Sequence, residues 1–296
     1  IIRRSWRNRA ANAFRKTVSG DPSGAPDWSQ QMAIGSDEGL FGPRSAVWEV
    51  HGCIATLVGG IRALLMQAAH PAALTGVAEH SAYDTDPLGR LERTTRWLTI
   101  TSFGSTEAIE IEARRVREMH KRVTGTFEEK SGSQSPYSAS DPRYLLWVHC
   151  AFTDSFLRAH EELGYALPQG ADQYVREWSK SAEPLGLTSA PLSKRALADV
   201  MASFAQNEVT SIAMTPPIVG FILKPPFSKG GLFFFKILAN AAIATIDDPF
   251  LSVLGLKPRS KKWLRVSKVL LDFLSYMLGH ESPSQKIARQ RINALQ

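Results

Sequence analysis

Apolar residues recur every three or four positions along most of this chain, which is the period of an amphipathic α-helix. The clearest run spans 46–67 and predicts one long helix. Its apolar residues share a face: Val47, Val50, Ile54, Leu57, Val58, Ile61 and Leu65. The strict alternation of apolar and polar residues that marks a strand is nearly absent. The pattern therefore predicts an all-α fold in a single multi-helix domain.

Proline, glycine and capping residues divide the rest of the chain into further predicted helices. Pro87 suits the first turn of one helix, and Ser105 can cap the next. These helices are predicted from 87 onward and over 106–123, 141–163, 168–182, 192–204, 231–246, 261–278 and 283–295. Two stretches lack the helical period. Residues 128–136 are predicted to form a mobile loop, and the four prolines within 215–230 to break the chain.

We expect one domain with three parts. Residues 1–44 are a basic lead-in, 45–250 form the helical body, and 251–296 are basic helices packed on the same domain. The 296 residues include 35 Lys and Arg against 28 Asp and Glu, a net charge of +7. This charge favours anionic surfaces or ligands without requiring nucleic acid. Lys236 interrupts the longest apolar stretch, which therefore suits a buried or interfacial helix.

The N-terminal segment bears on the expected location. The chain starts at Ile1, and the basic stretch that follows has no apolar core, so it is not a signal peptide as it stands. A signal removed ahead of residue 1 leaves secretion open. We expect a cytoplasmic protein, with membrane association as the alternative.

Several chemistries are excluded by missing motifs. The only cysteines, Cys53 and Cys150, form no CxxC pair, which excludes a disulfide scaffold and a tetrathiolate zinc site. The chain lacks the phosphate-binding glycine loops GxGxxG and GxxxxGK[ST] and the nucleophile elbow GxSxG. His160-Glu161 lacks the second histidine of a zincin, and no CxxCH is present for covalent haem.

Histidines are concentrated in one part of the chain. Five of the seven lie within 51–149: His51, His70, His80, His120 and His149. Any one of them is best interpreted as a hydrogen-bonded core or surface residue. Several on adjacent helices are more typical of a cofactor site inside a helical bundle.

Two further features have both a functional and a structural interpretation. Arg90, Arg93 and Thr94 share one helix face and need a polar or anionic partner, either a ligand or nearby carboxylates. Gly59 and Gly60 lie inside the long predicted helix, where each costs about 1 kcal/mol relative to alanine. They permit either the close approach of a flat ligand or tight helix packing, which is the more common cause.

Over about 45–250, the spaced motifs resemble those of the mpaB/rubber oxygenase catalytic domain family. The motifs are VWEVHG from residue 47, GGIRALLMQAAHP from 59, GVAEHS from 76, DPLGRLERT from 86, FG at 103, REMH from 117, and DP at 141 followed by WVH at 147. The resemblance implies a globin-reminiscent helical bundle that holds haem b and its iron. It also implies dioxygen-dependent cleavage of carbon–carbon double bonds in an isoprenoid chain.

The resemblance also implies roles for individual residues. His120 matches the proximal iron ligand, and Arg90 and Thr94 match the arginine and threonine of a family helix motif on the other side of the iron, which makes both cofactor-binding candidates. Arg93 stands where the rubber-cleaving members have a lysine, and an arginine does not readily lose its proton to bind iron. Glu79 is the nearest candidate for the distal carboxylate. His80 is a further catalytic candidate, and His70 and His149 are further candidates for cofactor binding.

The leading hypothesis is a haem-b-dependent oxygenase that acts with dioxygen on an apolar, isoprenoid or lipid-like substrate. One alternative is a non-catalytic haem-binding or lipid-binding helical protein. The other is a basic membrane-surface or nucleic-acid-binding protein. It rests on the six cations of 257–268, although such a stretch is more often a solvated helix face. Phe233, Phe234 and Phe235 favour peripheral membrane contact, whereas nucleic acid is not expected.

Overall fold

The computed structural model describes residue 23, residues 25–80 and residues 87–295, with the side chains of 87–91 outside that description. Its helices are α1 (Ala46–Gly52), α2 (Thr56–Ala68), α3 (Pro71–His80), α4 (Pro87–Phe103), α5 (Thr106–His120), α6 (Pro142–Glu162), α7 (Ala171–Ser179), α8 (Lys194–Asn207), α9 (Thr215–Leu223), α10 (Lys229–Ala244), α11 (Phe250–Val253), α12 (Lys262–Leu278) and α13 (Pro283–Asn293). Two strands, β1 (Thr124–Glu128) and β2 (Gln134–Ser138), form a small sheet. The predicted α-helical, single-domain fold is confirmed.

The centre of the core is the contact between α2 and α6. The two helices bury large apolar side chains against each other and their neighbours: Val58, Leu65, Met66, Trp147, Phe156 and Leu157. At Gly59, a Cβ atom would lie 2.7 Å from Cδ1 of Phe156 and 3.2 Å from its Cα. The missing side chain therefore permits the two helix backbones to approach, which confirms tight helix packing as the role of this glycine.

The helix predicted over 46–67 is wrong in one respect, because the chain turns a corner within it. Helices α1 and α2 are bent by 90° at the residues between them. Cys53 adopts an extended backbone conformation there, and the Thr56 hydroxyl donates to its carbonyl oxygen at 2.9 Å. The apolar period continues because both helices bury an apolar face, so the period alone does not reveal the change of direction.

The loop predicted at 128–136 is shorter than expected, because it is limited to 129–133 between two strands. Strands β1 and β2 pair antiparallel, with Thr124 opposite Ser138 and Glu128 opposite Gln134. Each strand buries one aromatic side chain, Phe127 or Tyr137, against Ala72 and Tyr144. One buried side chain in five residues is too short a pattern to be recognised as alternation in the sequence.

The break predicted over 215–230 is shorter than expected, because α9 occupies its first part. Pro216 and Pro217 lie in the first turn of α9, where a missing backbone N–H removes no helical hydrogen bond. The irregular connection is limited to 224–228, which leads into α10.

No single helix in the described ranges is long and apolar enough to cross a membrane. The pair α1 and α2 meets the criteria of length and composition together, but it is the pair bent by 90°.

The two adjacent glycines of α2 provide a first test of this packing. Gly59→Ala should lower the free energy of unfolding by about 1–3 kcal/mol, because the new methyl group overlaps Phe156 and its backbone. Gly60→Ala should instead raise it by up to about 1 kcal/mol, because a Cβ there meets nothing within 4 Å and alanine favours the helix. Urea unfolding of both variants measures the difference. Equal effects at the two positions would contradict the packing role of Gly59.

Candidate functional site

Helices α4 and α5 form a hairpin that is fixed by a buried ion triad. Only Gly104 and Ser105 connect the two helices, and the Ser105 hydroxyl caps α5 by accepting from the Ala108 amide at 3.1 Å. The fully buried carboxylate of Glu112 accepts from Arg96 Nε of α4 at 2.9 Å and from Arg115 Nη2 at 2.6 Å. A buried carboxylate is strongly unfavourable unless it is paired, so this triad sets how α4 and α5 align.

His120 lies at the C-terminal end of α5 on its buried face. It continues a stripe formed by Ile109, Ala113 and Val116 at helical spacing. The side chain is half-buried. Burial, with a smaller effect of the Arg115 charge, lowers the pKa of His120 below its ordinary value. The imidazole is therefore neutral near pH 7, which is the form that binds metal ions.

The predicted residues of α4 are only partly described. Arg90 belongs to the first turns of this helix, and its side chain lies outside the described residues. Arg93 is exposed and Thr94 is half-buried. Burial of Arg90 and Thr94 beside a cofactor stays a prediction.

The ion triad provides a reference point for placing His120 and Arg90 along the hairpin of α4 and α5. His120 follows Glu112 by two helical turns, about 12 Å along α5, and Arg90 precedes Arg96 by about 9 Å along α4. Because the helices run in opposite directions, both displacements point to the same end. His120 and the first turns of α4 therefore lie toward the same end of the hairpin.

Glu79 and His80 are the last residues of α3. They lie next to strand β1, and both are exposed. His80 Nε2 donates to the Thr124 carbonyl oxygen at 2.8 Å, and the Glu79 carboxylate lies close to Gly125. His80 also lines a cleft of about 430 Å³ together with Arg115, Glu118, Met119, Arg122 and Val123. The α5 residues of this cleft lie on the side of the helix away from His120. The structure thus places His80 and His120 on different faces of α5.

His70 has both of its ring nitrogens engaged within the protein. Its Nε2 donates to Glu208 Oε2 at 3.0 Å, and its Nδ1 accepts from the Ala72 amide at 3.2 Å. The side chain is 1% exposed and is surrounded by aromatic rings, including Tyr144 and Trp147. These contacts favour a structural role, in which His70 immediately precedes α3 and connects it to Glu208.

His149 differs from His70 because its buried Nε2 has no hydrogen-bond partner among the described residues. The residue lies on α6 and is half-buried. Desolvation lowers the pKa of His149 to about 4, so the ring is neutral near pH 7. A buried polar atom without a partner costs about 1–3 kcal/mol. His149 is therefore a candidate to contact a bound group.

The cysteines do not have the environment of thiolate ligands. Burial raises the pKa of Cys150 to about 12 and that of Cys53 to about 11, so both are thiols near pH 7. Among the residues that the structure describes, no group of three or more histidine, cysteine or acidic side chains could hold a metal ion. Haem iron needs only one protein ligand, so the haem site stays a prediction.

Two buried polar clusters were not predicted from the sequence. His51 contacts Ser102 Oγ at 2.8 Å and the Tyr174 hydroxyl at 3.0 Å, and burial lowers its pKa to about 3. Arg62 is 1% exposed and bonds Asp154 Oδ2 at 2.7 Å. The position of Arg62 on the apolar face of α2 is a signal that could have identified it. The partners of His51 are distant in sequence and left no such signal.

Comparison with known proteins identifies one family. The model described as "ER-bound oxygenase mpaB/B'/Rubber oxygenase, catalytic domain" matches residues 48–276, which is well over half of the chain. The match includes every site residue discussed above. No curated protein and no solved structure matches the chain.

The ion triad of the hairpin gives a second test. Glu112→Ala should lower the free energy of unfolding by roughly 2–4 kcal/mol, because it leaves Arg96 and Arg115 partly desolvated without their partner. Glu110→Ala on the same helix is the control. It removes an exposed pair with Arg117 and should cost less than about 1 kcal/mol. Chemical unfolding measures both, and a Glu112 effect as small as that of Glu110 would refute the role of the triad.

The neutral His149 predicts a loss of stability in acid. Its pKa is about 4 in the folded chain and about 6.5 when unfolded. Between these values the unfolded state binds a proton that the folded state excludes. The free energy of unfolding therefore falls as the pH drops from 6.5 to 4, by up to about 1.4 kcal/mol per pH unit from this group. His149→Asn should reduce that slope, whereas His280→Asn, at an exposed position, should leave it unchanged. Urea unfolding at several pH values measures the slopes, and an unchanged slope in His149→Asn would contradict the prediction.

Proposed function

This chain belongs to the mpaB/rubber oxygenase catalytic domain family, and we propose that it is an oxygenase that holds haem b and acts with dioxygen on an apolar, isoprenoid or lipid-like substrate. The observation that carries the proposal is the half-buried, neutral His120 on the interior face of α5. Its place at the shared end of the hairpin agrees with its match to the family's iron ligand.

The hydrogen bonds of the histidine rings support His120 as the iron ligand. His51, His70 and His80 use ring nitrogens for bonds within the protein. No described residue bonds the ring of His120, and the buried Nε2 of His149 lacks a partner. A neutral imidazole with an available lone pair is an ordinary axial ligand of haem iron. These residues fit the group, with His120 as the proposed ligand and His149 as the second candidate.

Haem, when bound, would supply the iron chemistry of dioxygen activation, while the protein would supply orientation and electrostatics. The hydroxyl of Thr94 and the guanidinium of Arg90 are the proposed hydrogen-bond donors in the N-terminal half of α4. Arg93 presents a guanidinium group and is exposed. Its proposed role is to hold an anionic or oxygen-bearing group, such as a propionate, near the mouth of the site.

Arg93 distinguishes this chain from the rubber-cleaving members of the family, which have a lysine at that position. A lysine at that position can lose its proton and approach iron, whereas arginine keeps its proton. We therefore propose that the substrate is a smaller isoprenoid or lipid-like molecule rather than rubber.

Hemin titration tests the cofactor and its ligand. The wild-type chain should bind one haem, with a Soret band distinct from that of free hemin and a pyridine hemochrome of the b type. His120→Ala should weaken binding at least tenfold, because the iron–nitrogen bond is lost and both cysteines are protonated. His280→Ala is the matched control at an exposed position and should bind as the wild type does. Arg93→Ala should retain most of the haem affinity.

The outcomes separate the parts of the proposal. If His149→Ala loses haem and His120→Ala does not, the ligand is His149 and the haem proposal stands. A wild-type spectrum equal to that of hemin with an unrelated protein would refute haem binding. Circular dichroism of each variant distinguishes loss of the ligand from loss of the fold. Dioxygen consumption by the haem-loaded chain, with and without squalene or a fatty acid, then tests the substrate class.

A further inference from the structure

We propose that the outer face of α12, together with the start of α10, docks on the surface of an anionic lipid bilayer. The outer face of α12 consists of Lys262, Val266, Val269, Phe273 and Tyr276. The four apolar or aromatic members are 45%, 71%, 54% and 70% exposed, in that order. Steps of three and four residues place them on one side of the helix. This inference depends neither on haem nor on the proposed activity.

The opposite side of α12 is the one that packs on the protein. Leu264, Ser267 and Leu271 are buried there, and the Ser267 hydroxyl donates to the Ile237 carbonyl oxygen of α10 at 3.2 Å. Helix α12 therefore packs on the protein through one face. The apolar side chains of its outer face are not needed for this packing. Four large exposed side chains in one row are more than scattered surface apolar residues, and such a patch is typical of an interaction surface.

The neighbouring helix α10 adds a second exposed apolar pair. Phe233 is 63% exposed and Phe234 is 51% exposed, near the N-terminus of this helix. The two rings contact each other with centroids 5.7 Å apart. Half-buried Trp263 begins α12 beside Lys262, whose ammonium group lies 5.9 Å from the indole centroid. Aromatic rings combined with lysine are characteristic of segments that lie at a lipid–water interface.

The charge of this region identifies the partner as anionic. The sequence has no acidic residue over 249–271, and Asp272, the one carboxylate of α12, is paired with Lys268 of the same helix. The exposed cations of α10, α12 and their connections are Lys224, Lys229, Lys236, Lys257, Arg259, Lys261, Lys262 and Arg265. Within the described part of the chain, only Lys261 of these has an ion pair, with Glu162. Each unpaired cation near an anionic membrane strengthens binding to it.

Other occupants fit these features less well. A second copy of the chain would bring the same cations of both copies close together, which is unfavourable. A nucleic acid would place phosphates against Val269 and Phe273, which offer them no hydrogen bonds. A bilayer satisfies both halves of the surface, because headgroups pair with the cations while the apolar row enters the acyl boundary.

Vesicle flotation of the full chain tests the proposal. The vesicles contain either phosphatidylcholine alone or phosphatidylcholine with about 30 mol% phosphatidylserine, near physiological salt. We expect at least about tenfold tighter binding to the anionic vesicles. The double variant V269E/F273E should lose at least tenfold of this affinity. Its matched control is L192E, which charges a 57% exposed leucine outside the face and should bind as the wild type does. Circular dichroism confirms that each variant is folded.

A charge variant and a measurement without lipid complete the test. K262E/R265E should weaken binding at least tenfold, whereas K180E/K286E, which reverses two exposed lysines elsewhere, should weaken it much less. Wild-type binding that V269E/F273E leaves intact would mean adsorption by charge alone and would overturn the proposal. Absence of wild-type binding would also overturn it. Sedimentation velocity tests self-association of the chain. If the wild type self-associates, V269E/F273E abolishes this, and neither binds vesicles, the face is a dimer interface instead.

Discussion

The buried guanidinium of Arg62 joins the three helices on which the rest of the core depends. It extends from α2 to Asp154 Oδ2 at 2.7 Å and Ser155 Oγ at 2.8 Å, both on α6, and to the Thr245 carbonyl oxygen at the end of α10. A desolvated cation requires partners of this kind, so α2, α6 and α10 must come together in one arrangement. Gly59 permits that arrangement by removing the side chain that would separate α2 from α6.

The two candidate histidines, His149 and His120, lie on two parts of the fold whose buried charges are satisfied separately. Arg62 fixes α6, which carries His149, and Glu112 fixes the α4–α5 hairpin, which carries Thr94 and His120. Each part positions its imidazole by its own buried ion cluster. No described residue bonds the ring of His120, and the buried Nε2 of His149 has no partner among the described residues. His70, whose ring nitrogens are used within the fold, is the contrasting case.

The sequence predicts which residues are buried better than it predicts how the helices are oriented. The apolar period reports which faces are buried, and it therefore predicts most helices and the all-α class. It does not report the direction of a helix axis, so it does not predict the 90° corner near Cys53. Gly59 and Gly60 are equivalent in sequence, yet one contacts Phe156 and the other faces open space. The family resemblance identified His120, but its position relative to His80 depends on the helical phase of α5 and on strand β1, which no single motif contains.

The state of the candidate histidines connects stability with ligand binding. Desolvation keeps His149 neutral, with a pKa of about 4, and its unpartnered Nε2 makes the folded chain less stable than a fully paired core would be. A ligand that binds the folded chain but not the unfolded chain raises stability in proportion to the logarithm of its concentration over its dissociation constant. The same desolvation that disfavours the proton leaves the imidazole lone pair available. A site of this kind is therefore least stable when it is empty, and its stability increases when a group that accepts the lone pair is bound.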